Sequence, residues 1–282
     1  MPVSSSVAIP GVVESLGGRA VHWVRQPGGA PAVVLLGGCG VPYYAWDKVV
    51  AQLGGAEVVP LDRPGLVATA WPGVLPRLTD EVATLAELIA KSSGPAVVVA
   101  HSMAGLHAEA LARSHPDLVA GLVLVDSSVE TSPKRPGSGL VWLGIARLVR
   151  VLMGVPVLRP LGSLADRVLV AAQSRQRVFG HTPAIAKQVF RSGDATASVI
   201  AEQGAYSQQV FDLAELRTAA PLPPVVVVVL TAGQGGEQWV TDQSRLAQLL
   251  KGRQVVVQDS RHLIMIDRPD LVADAVRAVR AG

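Results

Sequence analysis

Ser102 stands between an apolar run, Val97-Val98-Val99-Ala100, and a segment of helical spacing, within Ala100-His101-Ser102-Met103-Ala104-Gly105. A serine held on the turn from a buried strand into a helix projects its hydroxyl outward. The next backbone N–H points at the same spot, and together they suit nucleophilic acyl transfer. Strand, turn and helix crowd each other there, so the flanking residues must be small; the usual pattern is G-x-S-x-G, and here alanine takes both places, Ala100 and Ala104. By itself the stretch reads equally as a nucleophile or as a helix-capping serine. A nucleophile also needs a base, a group that orients the base, and donors for the oxyanion. Among six histidines the best base is His262, on a loop just past the strand Val255 to Gln258 and ahead of Leu263, Ile264 and Met265. His101 is expected to point elsewhere on its tight turn. His22, His107 and His115 read as structural, and His181 is a candidate pocket residue.

These residues require a scaffold. Ala32 to Leu36, Glu57 to Leu61, the run from Ala96, and Leu122 to Val125 are continuous apolar runs typical of strands buried on both faces. Between them lie segments of helical period: Trp46, Val49, Val50 and Leu53; Val82, Leu85, Leu88 and Ile89, with Thr79 as the expected cap; and a helix reaching Arg113. Gly11 to Gln26 reads as two short strands around Leu16-Gly17-Gly18, with weak alternation that predicts a sheet edge for His22. The order predicts an α/β fold with a doubly wound, mostly parallel sheet, whose functional residues gather at the C-terminal strand ends. After Asp126 the pattern changes. Val129 to Gly139 is rich in proline, serine and glycine, and the stretch to Leu216 is helical in pattern without a buried strand. Alternation resumes with a strand Val225 to Leu230, a helix Thr241 to Leu250, the strand Val255 to Gln258 and a helix Asp270 to Arg280. The expected organisation is a core of residues 1–128 and 217–282 with a helical cap, 129–216, inserted after the sixth strand.

Three stretches, taken in this order, resemble the α/β-hydrolase superfamily. Leu35-Leu36-Gly37-Gly38-Cys39-Gly40 is similar to its oxyanion loop, the Ser102 segment to its nucleophile elbow, and Asp259-Ser260-Arg261-His262-Leu263-Ile264-Met265-Ile266-Asp267-Arg268-Pro269 to its histidine loop. The resemblance covers nearly the whole chain apart from the insertion. It implies a serine esterase or lipase-like enzyme, with Ser102 as nucleophile and His262 as base. It also implies an oxyanion hole from the backbone N–H groups of Cys39 and Met103. The histidine that often braces the oxyanion loop is missing, because Gly37-Gly38 stands where the family has His-Gly. For the acid, the family loop after the penultimate strand carries Gly236 where an aspartate is usual, with Glu237 one step out of register. The alternative is Asp126, in a position that serves some branches. Asp126 is preferred because it sits on a rigid strand end, whereas Glu237 needs a bent, glycine-rich loop. Asp62 and Arg63 resemble a strand-end motif and are expected to anchor loops. Candidate pocket walls are Tyr43, Trp142 and Leu263. Val141, Trp142, Ile145, Leu148, Leu152 and Met153 are expected to form an apolar roof.

Composition narrows the classes. The chain has 282 residues, 49% hydrophobic, enough for one large core and a cap. Its net charge of +3 is read as a small, unclustered excess, which is no nucleic-acid signature. One cysteine, Cys39, excludes an internal disulfide. Met1 to Pro10 lacks the basic and apolar regions of a secretory signal, so a cytoplasmic location is expected. Leu140 to Leu158 is the most membrane-like segment, yet Arg147 and Arg150 interrupt it, which predicts an amphipathic cap helix and no transmembrane span. The histidines are scattered and no phosphate-binding glycine motif occurs, so neither metal nor cofactor is expected. The oligomeric state is unreadable. The reading is therefore a carboxylesterase-like hydrolase acting on a small to medium hydrophobic ester, with thioester or amide as variants. A hydroxynitrile-lyase-type lyase and a non-catalytic ligand binder stand as alternatives.

Overall fold

In the computed structural model, residues 8–130, 133, 135–176 and 183–282 are described; His181 lies outside them. Eight strands form one sheet: β1 (Val12–Leu16), β2 (Arg19–Trp23), β3 (Gly29–Leu36), β4 (Ala56–Asp62), β5 (Ala96–His101), β6 (Val119–Val125), β7 (Val226–Ala232) and β8 (Arg253–Val257). Their spatial order is β1-β2-β4-β3-β5-β6-β7-β8. Only β1 and β2 run antiparallel to their neighbours. The helices are α1 (Asp47–Val50), α2 (Leu78–Ala90), α3 (Ala104–Ser114), α4 (Leu140–Leu152), α5 (Arg159–Gln173), α6 (Pro183–Val189), α7 (Gly193–Ala219), α8 (Glu237–Leu249), α9 (Ile264–Asp267) and α10 (Pro269–Ala281).

The apolar runs make the central strands because alternate residues feed two cores. Val33, Leu35, Val97, Val99, Val123 and Val125 join one layer with Val272 and Val276 of α10. Val34, Val98, Leu122 and Leu124 join the other with Leu85 of α2 and Leu111 of α3. Each such side chain, once removed from water, contributes roughly 1.5–3 kcal/mol, so the strand ends rest on the most firmly held part of the molecule. From β3 the chain moves outward to β4 and then returns to place β5 on the other side of β3. That reversal opens a crevice beyond the C-terminal ends of β3 and β5, where open α/β sheets bind their ligands.

Some local expectations shift. Helix α2 begins at Leu78 after an extended Arg77, so Thr79 lies in the first turn and is not the cap. Helix α8 begins at Glu237, not Thr241, because Gly236 turns the chain at φ 90°. The sheet edge is β1, and His22 on β2 is buried against β4. Its Nδ1 meets Asp62 Oδ2 at 2.7 Å and its Nε2 donates to the Pro10 carbonyl at 2.8 Å. Burial works against charge on this ring, but Asp62 and the Pro10 carbonyl raise its pKa above the ordinary value.

Between β6 and β7 the described residues include α4 to α7 and no strand. Helix α7, 27 residues and therefore about 40 Å long, packs on α4 near its start and on α2 and α3 farther along. There Arg217 pairs with Glu109 at 2.7 Å and Gln209 with His107 at 2.8 Å, a structural place for His107. The roof expected from α4 does not form. Ala146 and Met153 face inward, whereas Val141, Ile145, Leu148 and Leu152 turn to solvent. Among the described residues no helix is long and apolar enough to cross a membrane.

Candidate active site

Strands β5 and β6 end side by side, His101 paired with Val125, so Ser102 and Asp126 emerge together. Both have left-handed backbones, φ 55° for Ser102 and 45° for Asp126. Such a conformation costs a non-glycine residue on the order of 1–3 kcal/mol and persists only where surroundings enforce it. At Ser102 they do: its N–H donates to Val125 O at 3.1 Å, and its carbonyl accepts from Gly105 N and Ser128 N, each at 3.0 Å. The crowding inferred at the elbow is borne by Gly105, where a Cβ would lie 1.8 Å from Ser127 Oγ. Ala100 and Ala104 are fully buried.

Asp126, 2% exposed, accepts three hydrogen bonds. Its Oδ1 takes Ala232 N at 2.8 Å and Trp239 Nε1 at 2.7 Å, and its Oδ2 takes His262 Nδ1 at 2.6 Å. Asp126 is thus the carboxylate within reach of His262. Glu237 sits exposed in the first turn of α8. The His262 ring is held on its Nδ1 side, and its side chain remains 31% exposed.

His101 does not point elsewhere. It is buried between two loops, its Nδ1 accepting from Gly38 N–H at 3.2 Å and its Nε2 donating to His262 O at 3.1 Å. The bonds assign its tautomer, and burial first, then the nearby His262 and Arg63, drives its pKa well below the ordinary value. A neutral ring is what this place requires, since the His262 ring centroid is 4.5 Å away.

The brace of the loop after β3 is Arg63. Its Nη1 donates to Gly37 O and its Nη2 to Gly38 O, both at 2.5 Å. Glu202 of α7 grips the guanidinium from the other side, at 2.8 Å on Nε and 3.0 Å on Nη2, and also accepts Gly40 N–H at 3.0 Å. Burial opposes the Arg63 charge, but Glu202 outweighs it and raises the pKa. In a trans peptide, C=O and N–H point in opposite directions. Arg63 on the Gly38 carbonyl therefore turns the Cys39 N–H away from itself. Gly38 lies against the elbow, where a Cβ would come within 2.7 Å of both Ser102 Cβ and His101 Nδ1. Asp62 anchors the same loop farther along by accepting Tyr43 N–H at 2.7 Å. Burial, then the charge of Glu202, pushes the Cys39 thiol far up, so it is no thiolate.

Beside Gly40, between this loop and α5, is a cavity of about 110 Å³ lined in part by Cys39, Val170, Phe190, Val199 and Leu263. Of the candidate pocket walls, Leu263 lines this cavity. Tyr43 is instead buried in the core, edge-on to His22 and Tyr44, and Trp142 packs over Gly204 of α7; neither lines this cavity. The wall contains one carboxyl, Asp166, whose pKa burial raises to about 7 against a weaker effect of Arg167. Two residues with a hand in the site, Glu202 and Trp239, carry no motif, and His101, although inside the Ser102 stretch, is given no role by it. No local signal in the sequence points to Glu202, which lies on α7 far along the chain from Arg63.

Comparison with known proteins agrees with this architecture. A profile of the alpha/beta hydrolase family matches residues 33–275. The chain is 38% identical to the esterase Rv0045c of Mycobacterium tuberculosis over 118 residues, which span 40% of this chain and 39% of that protein. Cfl2 from Burkholderia cenocepacia has a similar structure, with a TM-score of 0.75 and 19% identity over 95% of this chain and 94% of that one. An enol-lactonase from Burkholderia xenovorans superposes at 0.69 with 22% identity, over 96% of this chain and all (100%) of the other. A thermophilic esterase from Thermogutta terrifontis does so at 0.69 with 19% identity, over 96% and 97%. With the profile spanning most of its length, this chain belongs to the alpha/beta hydrolase family.

Proposed function

We propose that the protein is a serine esterase that works without a cofactor. Ser102 Oγ attacks the acyl carbon while His262 Nε2 takes its proton. Asp126 holds the other ring nitrogen as donor and stabilises the imidazolium that forms. The tetrahedral oxyanion is received by the backbone N–H groups of Cys39 and Met103, preorganised so that little reorientation is needed as charge develops. His262 then protonates the leaving alcohol, and water activated by the same ring hydrolyses the acyl-enzyme.

The observation that carries this reading is the 2.6 Å bond from His262 Nδ1 to Asp126, on the strand end beside the one that delivers the strained Ser102. Support for the Cys39 donor comes from the grip of Arg63 on the Gly38 carbonyl. The helical insertion acts as a cap. Its α5 and α7 supply Val170 and Val199 to a mainly aliphatic cavity, which suits an ester with a small to medium hydrophobic acyl or alcohol group. The partial match to an esterase of Mycobacterium tuberculosis is in keeping with that substrate class. The test is turnover of a 4-nitrophenyl ester series. The butanoyl and hexanoyl esters should exceed the acetyl ester in kcat/KM by roughly tenfold, the order that two or more buried methylenes provide. Absence of turnover across the series contradicts the esterase reading.

A further inference from the structure

The insertion also carries a surface that the strand-end chemistry does not use. On α4, Val141, Ile145, Leu148 and Leu152 recur at helical spacing along one side, and they are 70%, 42%, 59% and 43% exposed. A surface helix ordinarily turns its apolar stripe to the core. On α4 that side is taken by small Ala146, buried against Ala197 and Ala201 of α7, so the larger aliphatic residues look outward. The pattern repeats on α5, where Leu161, Leu164 and Val168 are 55%, 57% and 60% exposed, and the connecting Val155 and Val157 are exposed as well. Of the eighteen large apolar side chains exposed among the described residues, thirteen fall within residues 140–169. Scattered exposure is ordinary, but such concentration marks a contact surface.

Charge is concentrated in the same segment, contrary to the unclustered excess expected from the sequence. Residues 131–193 contain ten lysines and arginines and a single acid, Asp166, whereas the rest of the chain holds fifteen basic residues against twenty-one acidic. Arg147, Arg159 and Arg167 flank the two stripes and are exposed. Among the described residues, Arg147 and Arg159 donate to backbone carbonyls, of Gly73 and Gly154, and pair with no carboxylate.

We propose that the outer face of α4 and α5 docks onto an anionic lipid bilayer. The aliphatic stripes enter the boundary between headgroups and acyl chains, and the flanking arginines meet lipid phosphates. A second copy is disfavoured as the occupant, because a symmetric contact would press one strongly basic segment against another. The stripes consist of aliphatic side chains without hydrogen-bonding groups, which suits a fluid surface better than a protein interface. Trp142 at the rim, 44% exposed, has the amphipathic ring favoured at the headgroup level. Leu169 belongs both to this face, at 53% exposure, and to the cavity lining. On the esterase reading, the docked face therefore adjoins the cavity beside the Cys39 loop from the lipid side.

Vesicle flotation of the full chain tests the proposal independently of catalysis. Floating is expected with phosphatidylcholine vesicles containing a third phosphatidylglycerol, and roughly tenfold less with phosphatidylcholine alone, with release at high salt. The double variant Ile145→Glu/Leu148→Glu should lose most of the binding while its circular dichroism and its turnover of a short soluble ester stay near native. The proposal is overturned by failure to float on anionic vesicles or by equal binding to neutral ones. Undiminished binding of the folded double variant overturns it too, as does a dimer in solution that this variant dissociates, which would assign the stripe to a second copy.

Discussion

At the strand ends, Asp126 accepts three hydrogen bonds and Arg63 donates four, each reaching an element distant in sequence. Residues 140–169 do the opposite: their large aliphatic side chains face solvent and their arginines find few carboxylate partners. The first region is over-determined, so backbone strain at Ser102 and Asp126 can be maintained and donors kept within tenths of an ångström. The second is held mainly by the packing of α4 on α7, with its aliphatic stripes outward. The contrast teaches where precision is required. Chemistry needs fixed geometry, whereas the docking proposed for α4 and α5 needs only a surface of the right character.

The contrast can be broken in order of effect. Asp126→Asn leaves His262 without its carboxylate and should lower kcat by about 10⁴-fold, whereas Glu237→Gln should stay within about twofold. The reverse order in ester assays would move the acid to α8. Next comes the brace. Arg63→Lys keeps a charge but loses the fork that spans the Gly37 and Gly38 carbonyls, and should lower kcat about 10²-fold while KM changes by less than about threefold, as loss of an oxyanion donor does. A KM effect with kcat intact would make Arg63 a binding residue only.

The smallest effect concerns Asp166 in the cavity wall. Its carboxyl stays protonated up to about pH 7 in the folded protein, against an ordinary value of 3.8. Between those values the folded state binds more protons than the unfolded one, so this group lowers stability as pH rises, with the loss complete above the folded value. Asp166→Asn should therefore gain on the order of 1–2 kcal/mol over the native protein at pH 8 and nothing near pH 4, measured by denaturant unfolding. An equal gain at both pH values would contradict the assignment.

Much of this was legible in the residues. Strands β3, β5, β6 and β7 announce themselves as apolar runs long enough to be buried on both faces, and their order implies the crevice at β3 and β5. Ser102 and His262 are candidates from local spacing and element order, and the resemblance to the α/β-hydrolase superfamily is what singles them out. What the sequence withheld depends on three-dimensional pairing. The Arg63–Glu202 contact joins residues 139 positions apart, and nothing local marks Glu202 as the partner. His101 was expected to point away because a strand terminus fixes where a side chain leaves the backbone, not which loops close around it. Periodicity likewise revealed the stripe on α4 but not its direction, because the inward side was decided by Ala146 and the small residues of α7.

In the proposed mechanism Ser102 is the nucleophile, poised by Asp126 and His262. Peptide mapping by mass spectrometry after treatment with a fluorophosphonate tests it most directly. One adduct is expected, on Ser102, with roughly 10³-fold slower labelling in Asp126→Asn, where the base is no longer oriented. An adduct on another residue, or an unlabelled protein that still hydrolyses esters, would contradict it.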